Sequence, residues 1–228
     1  MADEVQIKPE QKTDAVSISI KSFDGSGFSL SYHTLHNNNP SKNNNYVAVW
    51  SSDNGTVDPG CAPLVSSLVE SSETNGSIYV ACELREGSYV VGYSQVGEPK
   101  AGAVNLSATC AIPVASPPND DGASGITMSI DSIGNAYRIQ YQAVPNMDCG
   151  TNGNWIGIWK KDDVLTVANL YIKPIEKASS GGTLVLNDAP FVRGTAYQAG
   201  FFMSGYNNGK PNDAALNTVA AILSFATD

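Results

Sequence analysis

An internal repeat is the sequence feature that most constrains how this chain can fold. The run "NNYVAVWSSDN" covers residues 44–54, and "GNWIGIWKKDD" covers residues 153–163 with the same order of residue types. Residues 28–53 align without a gap on residues 137–162, an offset of 109 positions. A duplicated unit of about 100 residues, a common domain size, therefore accounts for most of the 228-residue chain.

Alternation of apolar and polar residues predicts six strands in each half, because side chains of a strand point to opposite faces in turn. Turn-forming residues separate the strands, and helical periodicity is weak throughout. The predicted strands begin at Val16, Phe28, Tyr46, Ser77, Ser88 and Ala103, and at Ile126, Tyr137, Trp155, Thr183, Ala196 and Asn217.

The strand pattern also predicts the domain boundaries. Residues 15–112 and 126–228 each form one β-sandwich domain, and residues 1–14 form a flexible tail. The segment "PVASPPNDDGASG", residues 113–125, is expected to be a linker, since its Pro and Gly residues do not suit a sheet.

Composition agrees with an all-β protein. Charged residues make up 15% and hydrophobic residues 42%, which is typical of short strands joined by polar turns. Strands at this spacing favour antiparallel sandwiches with Greek-key connections over a barrel or an α/β fold.

The second and third predicted strands carry a resemblance to known modules. "YRIQYQAV" from Tyr137 and "NWIGIWKKDD" from Asn154 resemble strands of immunoglobulin-like and fibronectin type III-like domains. The Trp-Ile-Gly-Ile run is similar to one in SKICH domains and in the N-terminal domain of purple acid phosphatases. The resemblance implies two tandem antiparallel immunoglobulin-like sandwiches, and it assigns no chemistry.

Charge and hydropathy exclude some partners. The net charge is -9, from 22 acidic and 13 basic residues without a basic cluster, so nucleic acid is not an expected partner. No apolar run is long enough for a membrane span, and the charged N-terminus does not resemble a secretory signal. We expect a soluble protein that is cytoplasmic, or exported without a classical signal peptide.

The four cysteines do not have the spacing of a metal site. Cys82 and Cys110 fall on the apolar phase of their strands, which favours buried thiols. The alternative is a disulfide, either between these two residues or between Cys61 and Cys149.

The residues that catalysis needs are sparse. His33 and His36 are the only histidines, and no sequence motif of a hydrolase, nucleotide-binding or metal-dependent enzyme appears. We predict a protein that is not an enzyme, with no catalytic residue and no cofactor. A hydrolase centred on these histidines stays as an alternative.

Acidic residues in predicted loops raise the question of calcium, which takes oxygen ligands from several loops. Their spacing matches no recognised calcium-binding loop, so no metal is predicted. The residues concerned are Asp53, Asp58, Asp148, Asp162 and Asp163.

The loops before the third strands carry the best candidate binding residues. Asn occurs at three matched positions in both loops, and an aromatic residue follows each loop. Carboxamides both donate and accept hydrogen bonds, as sugar hydroxyls require, and an aromatic ring can stack on a sugar. The alternative is that Asn simply forms long turns. The candidates are Asn37, Asn43, Asn45, Tyr46, Asn146, Asn152, Asn154 and Trp155.

The third strands present two faces with different expected roles. Val47 and Val49 suit a core, whereas Trp50 and Trp159 share the other face with Tyr46 or Trp155. That second face is either a ligand platform or a core face with buried tryptophans. The core alternative is favoured for Trp50 and Trp159.

These features favour a non-enzymatic binding protein, a carbohydrate-binding lectin with one weak site in each sandwich. Two tethered weak sites gain avidity without tighter contacts. The alternative is a structural or protein-interaction module such as an adhesin, a toxin subunit or an assembly component. The expected partners are glycans or a protein, and the oligomeric state is left open.

Overall fold

Antiparallel sheets account for nearly all regular structure in the chain, so the all-β prediction is confirmed. The computed structural model describes residues 5–84, 87–112, 124–133, 136–207 and 209–228. None of the helices in these residues has the length and apolar character needed to cross a bilayer.

The strands are short and are numbered in chain order. The first eight are β1 Lys12–Ala15, β2 Ser17–Asp24, β3 Gly27–His33, β4 Tyr46–Ser51, β5 Val65–Leu68, β6 Asn75–Ala81, β7 Tyr89–Ser94 and β8 Ala108–Ile112. The next are β9 Ser124–Gly125, β10 Thr127–Ile133, β11 Ala136–Gln142, β12 Trp155–Lys160, β13 Tyr171–Pro174, β14 Gly181–Leu186 and β15 Ala196–Phe202. The last are β16 Tyr206–Asn207, β17 Lys210–Pro211 and β18 Val219–Ala226, and the 3-10 helices are Val167–Asn169 and Asp213–Thr218.

The strands form two pairs of sheets with the same strand order. The first sheet pair consists of β2-β3-β6 and β5-β4-β7-β8-β9. The second sheet pair consists of β10-β11-β14 and β13-β12-β15-β18-β1. Each sheet in one pair thus has a counterpart in the other, strand for strand.

Within each pair, the two sheets pack face to face through aromatic and β-branched side chains. Tyr32 of β3 stacks on Tyr93 of β7 with ring centroids 5.9 Å apart, and Tyr141 of β11 lies 5.8 Å from Phe201 of β15. Val47 is completely buried in the same cluster. The alternation read from the sequence therefore identifies the inward faces of these strands.

One edge strand of each five-stranded sheet immediately precedes the other sheet pair in the sequence. β1 precedes the first sheet pair but pairs with β18 of the second, with Lys12 opposite Ser224 and Ala15 opposite Ala221. β9 precedes the second sheet pair but pairs with β8 of the first. The two sheet pairs therefore exchange one strand each.

Residues just before β2 make hydrogen bonds to the second sheet pair. The side chain of Gln11 donates to the carbonyl of Ile130 at 2.7 Å and accepts from its amide at 3.0 Å. The Thr13 hydroxyl donates to the carbonyl of Met128 at 3.2 Å. These side chains satisfy backbone groups of β10. Residues 1–4, which belong to the predicted flexible tail, lie outside the described residues.

The buried side chains between the sheets form one continuous cluster through both sheet pairs. Val16, between β1 and β2, is part of that cluster, and its amide donates to the carbonyl of Ala220 at 2.9 Å. The predicted linker, residues 113–125, lies outside the described residues except for β9. The exchanged strands and shared contacts join the halves more closely than a linker alone would.

Candidate functional site

The outer faces of the two five-stranded sheets hold the third-strand tryptophans. Trp50 and Trp159 point away from the face-to-face core, yet they are only 1% and 4% exposed. Trp50 belongs to a separate cluster with Ala48 and Val90, and its Nε1 donates to the carbonyl of Cys61 at 3.2 Å. The second face is therefore neither an open platform nor the inner face, but a second buried layer.

Trp155, one of the predicted ligand-binding residues, is completely buried. Its ring stacks on Phe202 with centroids 3.9 Å apart and an angle of 6° between the planes. Its Nε1 donates to the carbonyl of Ser204 at 2.9 Å. Both the ring face and the polar edge are thus occupied by the protein itself.

Loops of one half cover the outer sheet face of the other. Leu35, which follows β3, packs in a cluster with Trp155 and Phe202 of the second sheet pair. Val144 and Met147, which follow β11, pack with Trp50 of the first. This reciprocal cover explains why side chains on the outer sheet faces are buried from solvent.

Asn45 and Asn154 are also buried, at 0% and 1% exposure, so neither amide can reach a ligand from solvent. Tyr93 donates its hydroxyl to Oδ1 of Asn45 at 2.9 Å. Asn154 donates Nδ2 to the carbonyl of Met203 at 2.6 Å. The matched amides, both predicted as ligand-binding residues, therefore have partners within the protein at the ends of their loops.

The other two matched amides of the second loop, Asn146 and Asn152, bond to backbone carbonyls of the first half. Asn146 donates Nδ2 to the carbonyl of Val57 at 3.0 Å. Asn152 donates Nδ2 to the carbonyl of Val104 at 3.2 Å. Asn146 and Asn152 of the second loop therefore bond to the first half, whereas Asn43 of the first loop bonds within its own loop.

The first loop keeps three candidates partly accessible: Asn37, Asn43 and Tyr46. Asn43 donates Nδ2 to Oδ1 of Asn38 at 2.8 Å, within its own loop. No hydrogen bond is recorded for the side chains of Asn37 and Tyr46 within the parts of the chain that the structure describes. Of these three, Asn43 alone lines the cleft described next.

Asn43 lines a cleft between the two halves, with a volume of about 360 Å³. We call it the seam cleft. The first half contributes Lys42, Asn43 and Gln95, and the second half contributes Asn212, Asn217 and Thr218. Asn152, which matches Asn43 in the repeat, instead donates across the seam to the carbonyl of Val104.

Some polar groups of the seam cleft are already committed. Gln95 donates Nε2 to the carbonyl of Val219 at 3.1 Å and accepts from Ser107 at 2.7 Å. Thr218 donates its hydroxyl to the carbonyl of Ala215 at 2.8 Å. These bonds make the floor of the cleft rigid.

Other polar groups of the cleft have no intramolecular partner among the described residues. They are Nζ of Lys42, Oδ1 of Asn43, Nδ2 of Asn212 and the amide of Asn217. Asn212 uses Oδ1 to accept from the amide of Ala215 at 2.9 Å, so its Nδ2 is left to donate. Residues with uncommitted donors and acceptors therefore line one cleft, which suits a ligand with several hydroxyl groups.

The two histidines have different surroundings. Nδ1 of His33 lies 2.6 Å from Oδ1 of Asn75, and Nε2 lies 3.5 Å from Asp14. His36 is exposed. Among the described residues, no group of three or more His, Cys, Asp and Glu side chains is arranged to hold a metal ion.

All four cysteines are free thiols. Cys110 and Cys149 are buried, Cys82 is partly buried and Cys61 is exposed. Burial raises the pKa of Cys149 to about 12, with a smaller contribution from the charge of Asp148. A hydrogen bond to Asp58 raises the pKa of Cys61, so neither thiol is activated as a nucleophile.

Sequence reasoning missed most of the seam cleft. Asn212 and Asn217 lie at the start and within a 3-10 helix that has no predicted counterpart in the first half. Gln95 is buried and follows β7. The run "NDAALN" begins with Asn212, a residue type favoured at the N-cap of a helix. Asn212 caps the amide of Ala215, so this run was a sequence signal for the start of a helix.

The comparisons with known proteins do not assign this chain to a family. A scan against protein-family models and a search of the curated proteins returned no match to it.

Proposed function

We propose that this chain is a non-enzymatic binding protein whose ligand is a saccharide held in the seam cleft. The observation that carries the proposal is the convergence of uncommitted polar groups from Lys42, Asn43, Asn212 and Asn217 on one cleft. Amides suit neighbouring sugar hydroxyls, since they donate and accept side by side. A single cleft replaces the expected pair of weak sites.

The proposal includes an origin for the architecture. The matching strand orders support a duplicated immunoglobulin-like sandwich, in which the two copies have since diverged. The two matched amides at the seam now have different partners: Asn152 bonds across the seam, and Asn43 bonds within its own loop.

A glycan-array screen followed by titration calorimetry tests the proposal. Asn43→Ala and Asn217→Ala should each weaken binding of the best glycan about 2- to 10-fold, the usual range for one hydrogen bond. Asn37→Ala serves as the matched control, because Asn37 lies in the same loop but does not line the cleft.

Unfolding curves of the three variants separate lost binding from lost stability. Absence of any glycan hit, or a loss in Asn37→Ala equal to that in the cleft variants, would argue against the seam cleft as a saccharide site.

A protein-interaction role is the second candidate, and a groove at the open edge of the first sheet pair favours it. This groove has a volume of about 520 Å³ and runs between β5 and β6, lined by Leu68, Ile78 and Tyr79 among others. Leu64 beside it is 59% exposed. Assembly that rises with concentration and is lost in Leu64→Ser with Leu68→Ser would support this role.

A further inference from the structure

The charge of the seam cleft differs from the charge of the whole protein. The chain has a net charge of -9. The cleft instead has one charged lining side chain, Lys42, and no Asp or Glu among the described residues that line it. A cleft with one cation in an acidic protein is a local feature that the average charge hides.

Lys42 is free to bind an anion. Among the described residues its Nζ has no ion pair or hydrogen bond. The matched position in the second loop is Thr151, whose hydroxyl donates to Asp148 at 2.8 Å. The position in the second loop that matches Lys42 therefore has no cation.

Two acidic residues lie close in sequence to residues that line the cleft, and among the described residues neither forms an ion pair with Lys42. Glu98 accepts a hydrogen bond from Ser66 and does not line the cleft. Asp213 is exposed beside Asn212, and it does not line the cleft either. Asp213 is therefore the carboxylate whose effect on the cleft a substitution can test.

We propose that the saccharide of the seam cleft is acidic and carries a carboxylate, as a uronic acid does. This inference rests on the proposed function. The ammonium group of Lys42 contacts the carboxylate, while the amides of Asn43 and Asn217 contact ring hydroxyls. One lysine matches one negative charge, whereas phosphate sites gather several backbone amides or an arginine fork.

Matched methyl glycosides test the inference, because each uronide differs from its neutral sugar only at the carboxylate carbon. The probes are the methyl glycosides of glucuronic, galacturonic and mannuronic acid and their neutral counterparts, titrated by NMR at low salt. We expect at least one uronide to bind about 3- to 5-fold more tightly than its neutral partner, the range of an exposed ion pair.

Three variants identify the charge that is responsible. Lys42→Gln should remove the preference for the uronide, because it should weaken binding of the uronide more than binding of the neutral sugar. Lys160→Gln is the control, because Lys160 is exposed but lies outside the cleft. Asp213→Asn should increase the preference, and high salt should reduce it.

The outcomes separate this inference from the proposed function. Equal affinity for each uronide and its neutral partner would overturn the acidic-saccharide inference and leave saccharide binding intact. A preference that persists in Lys42→Gln would also overturn it. Failure of all six sugars to bind, together with an empty glycan array, would overturn the proposed function itself.

Discussion

Leu35 and Val144 lie at equivalent positions in the two halves, and each is buried against the outer sheet face of the other half. Leu35 covers Trp155 and Phe202, whereas Val144 lies on the side of Trp50. A sheet with two dry faces needs cover on both sides, and here each half supplies that cover for its neighbour. The halves therefore stabilise each other.

Leu35→Ala should lower the free energy of unfolding by about 2–4 kcal/mol, because it removes a fully buried side chain and leaves a cavity at the seam. Chemical denaturation measures the change. Leu64→Ala is the control, since Leu64 is 59% exposed, and it should change stability by less than about 0.5 kcal/mol. Equal effects of the two substitutions would contradict the reciprocal cover.

The tryptophan fluorescence of the folded protein should resist quenching by iodide. Trp50, Trp155 and Trp159 are the only tryptophans, and their exposed fractions are 1%, 0% and 4%. We expect blue-shifted emission and a quenching constant several-fold below that of the protein in denaturant. Strong quenching in the folded state would show that at least one ring is open to solvent.

The sequence was sufficient to predict which side chains share a face of each strand. It was not sufficient to predict which loops pack on the outer faces of the sheets. Alternation in β4 separates Val47 and Val49 from Trp50, and the structure keeps that separation. Whether Trp50 is exposed depends on Val144, which is far away in the chain. Local periodicity has no information on which distant loop closes a face, so Trp155 was expected to be open.

The exchanged edge strands also lay beyond sequence reasoning. β1 has the sequence "KTDA", which has too few apolar residues to show a strand pattern. Its order comes from pairing with β18 and from bonds to backbone groups of β10. Asn43 was predicted as a candidate from its matched position in the repeat. The residues that the second half contributes to the seam cleft, Asn212, Asn217 and Thr218, lie outside the part of the repeat that aligns without a gap.

Asp148 makes the stability of the second Asn-rich loop depend on pH. Its pKa is lowered, first by the backbone amide of Thr151, which donates to Oδ1 at 2.9 Å, and then by the Thr151 hydroxyl. A lowered pKa means that the carboxylate stabilises the fold above its ordinary value of 3.8 and that this contribution is lost as pH falls through the folded-state pKa.

Asp148→Asn should therefore be less stable than the unmodified chain at neutral pH, and the difference should shrink in acid. Urea denaturation midpoints over a pH series measure this difference. A gap that stays constant from neutral pH to well below 3.8 would show that the charge of Asp148 is not the cause.

Cys61 should react with iodoacetamide far faster than Cys149 in the folded protein. Cys61 is exposed and Cys149 is buried, so access decides the order. Asp58→Asn should accelerate labelling of Cys61 at mildly alkaline pH, because the charge and hydrogen bond of Asp58 raise the pKa of that thiol. Peptide mass spectrometry after timed labelling gives both rates, and early labelling of Cys149 would contradict its burial.

Deletion of residues 1–15 should destabilise the second sheet pair, although those residues precede the first in sequence. The deletion removes β1 from the edge of β18 and the two hydrogen bonds between Gln11 and Ile130. Several lost bonds of about 1 kcal/mol each predict a loss of about 3 kcal/mol or more. β18 then becomes an unpaired edge, which promotes association between chains.

Denaturation curves and size-exclusion chromatography of the truncated chain measure both effects. A peptide of residues 5–16 added in excess should restore stability, because it can pair with β18 in the register Lys12 to Ser224. A scrambled peptide of the same composition is the control, since it keeps the charge but loses the alternation of β1. If the truncated chain keeps full stability and its original elution volume, the exchanged strand is not needed to complete the sheet.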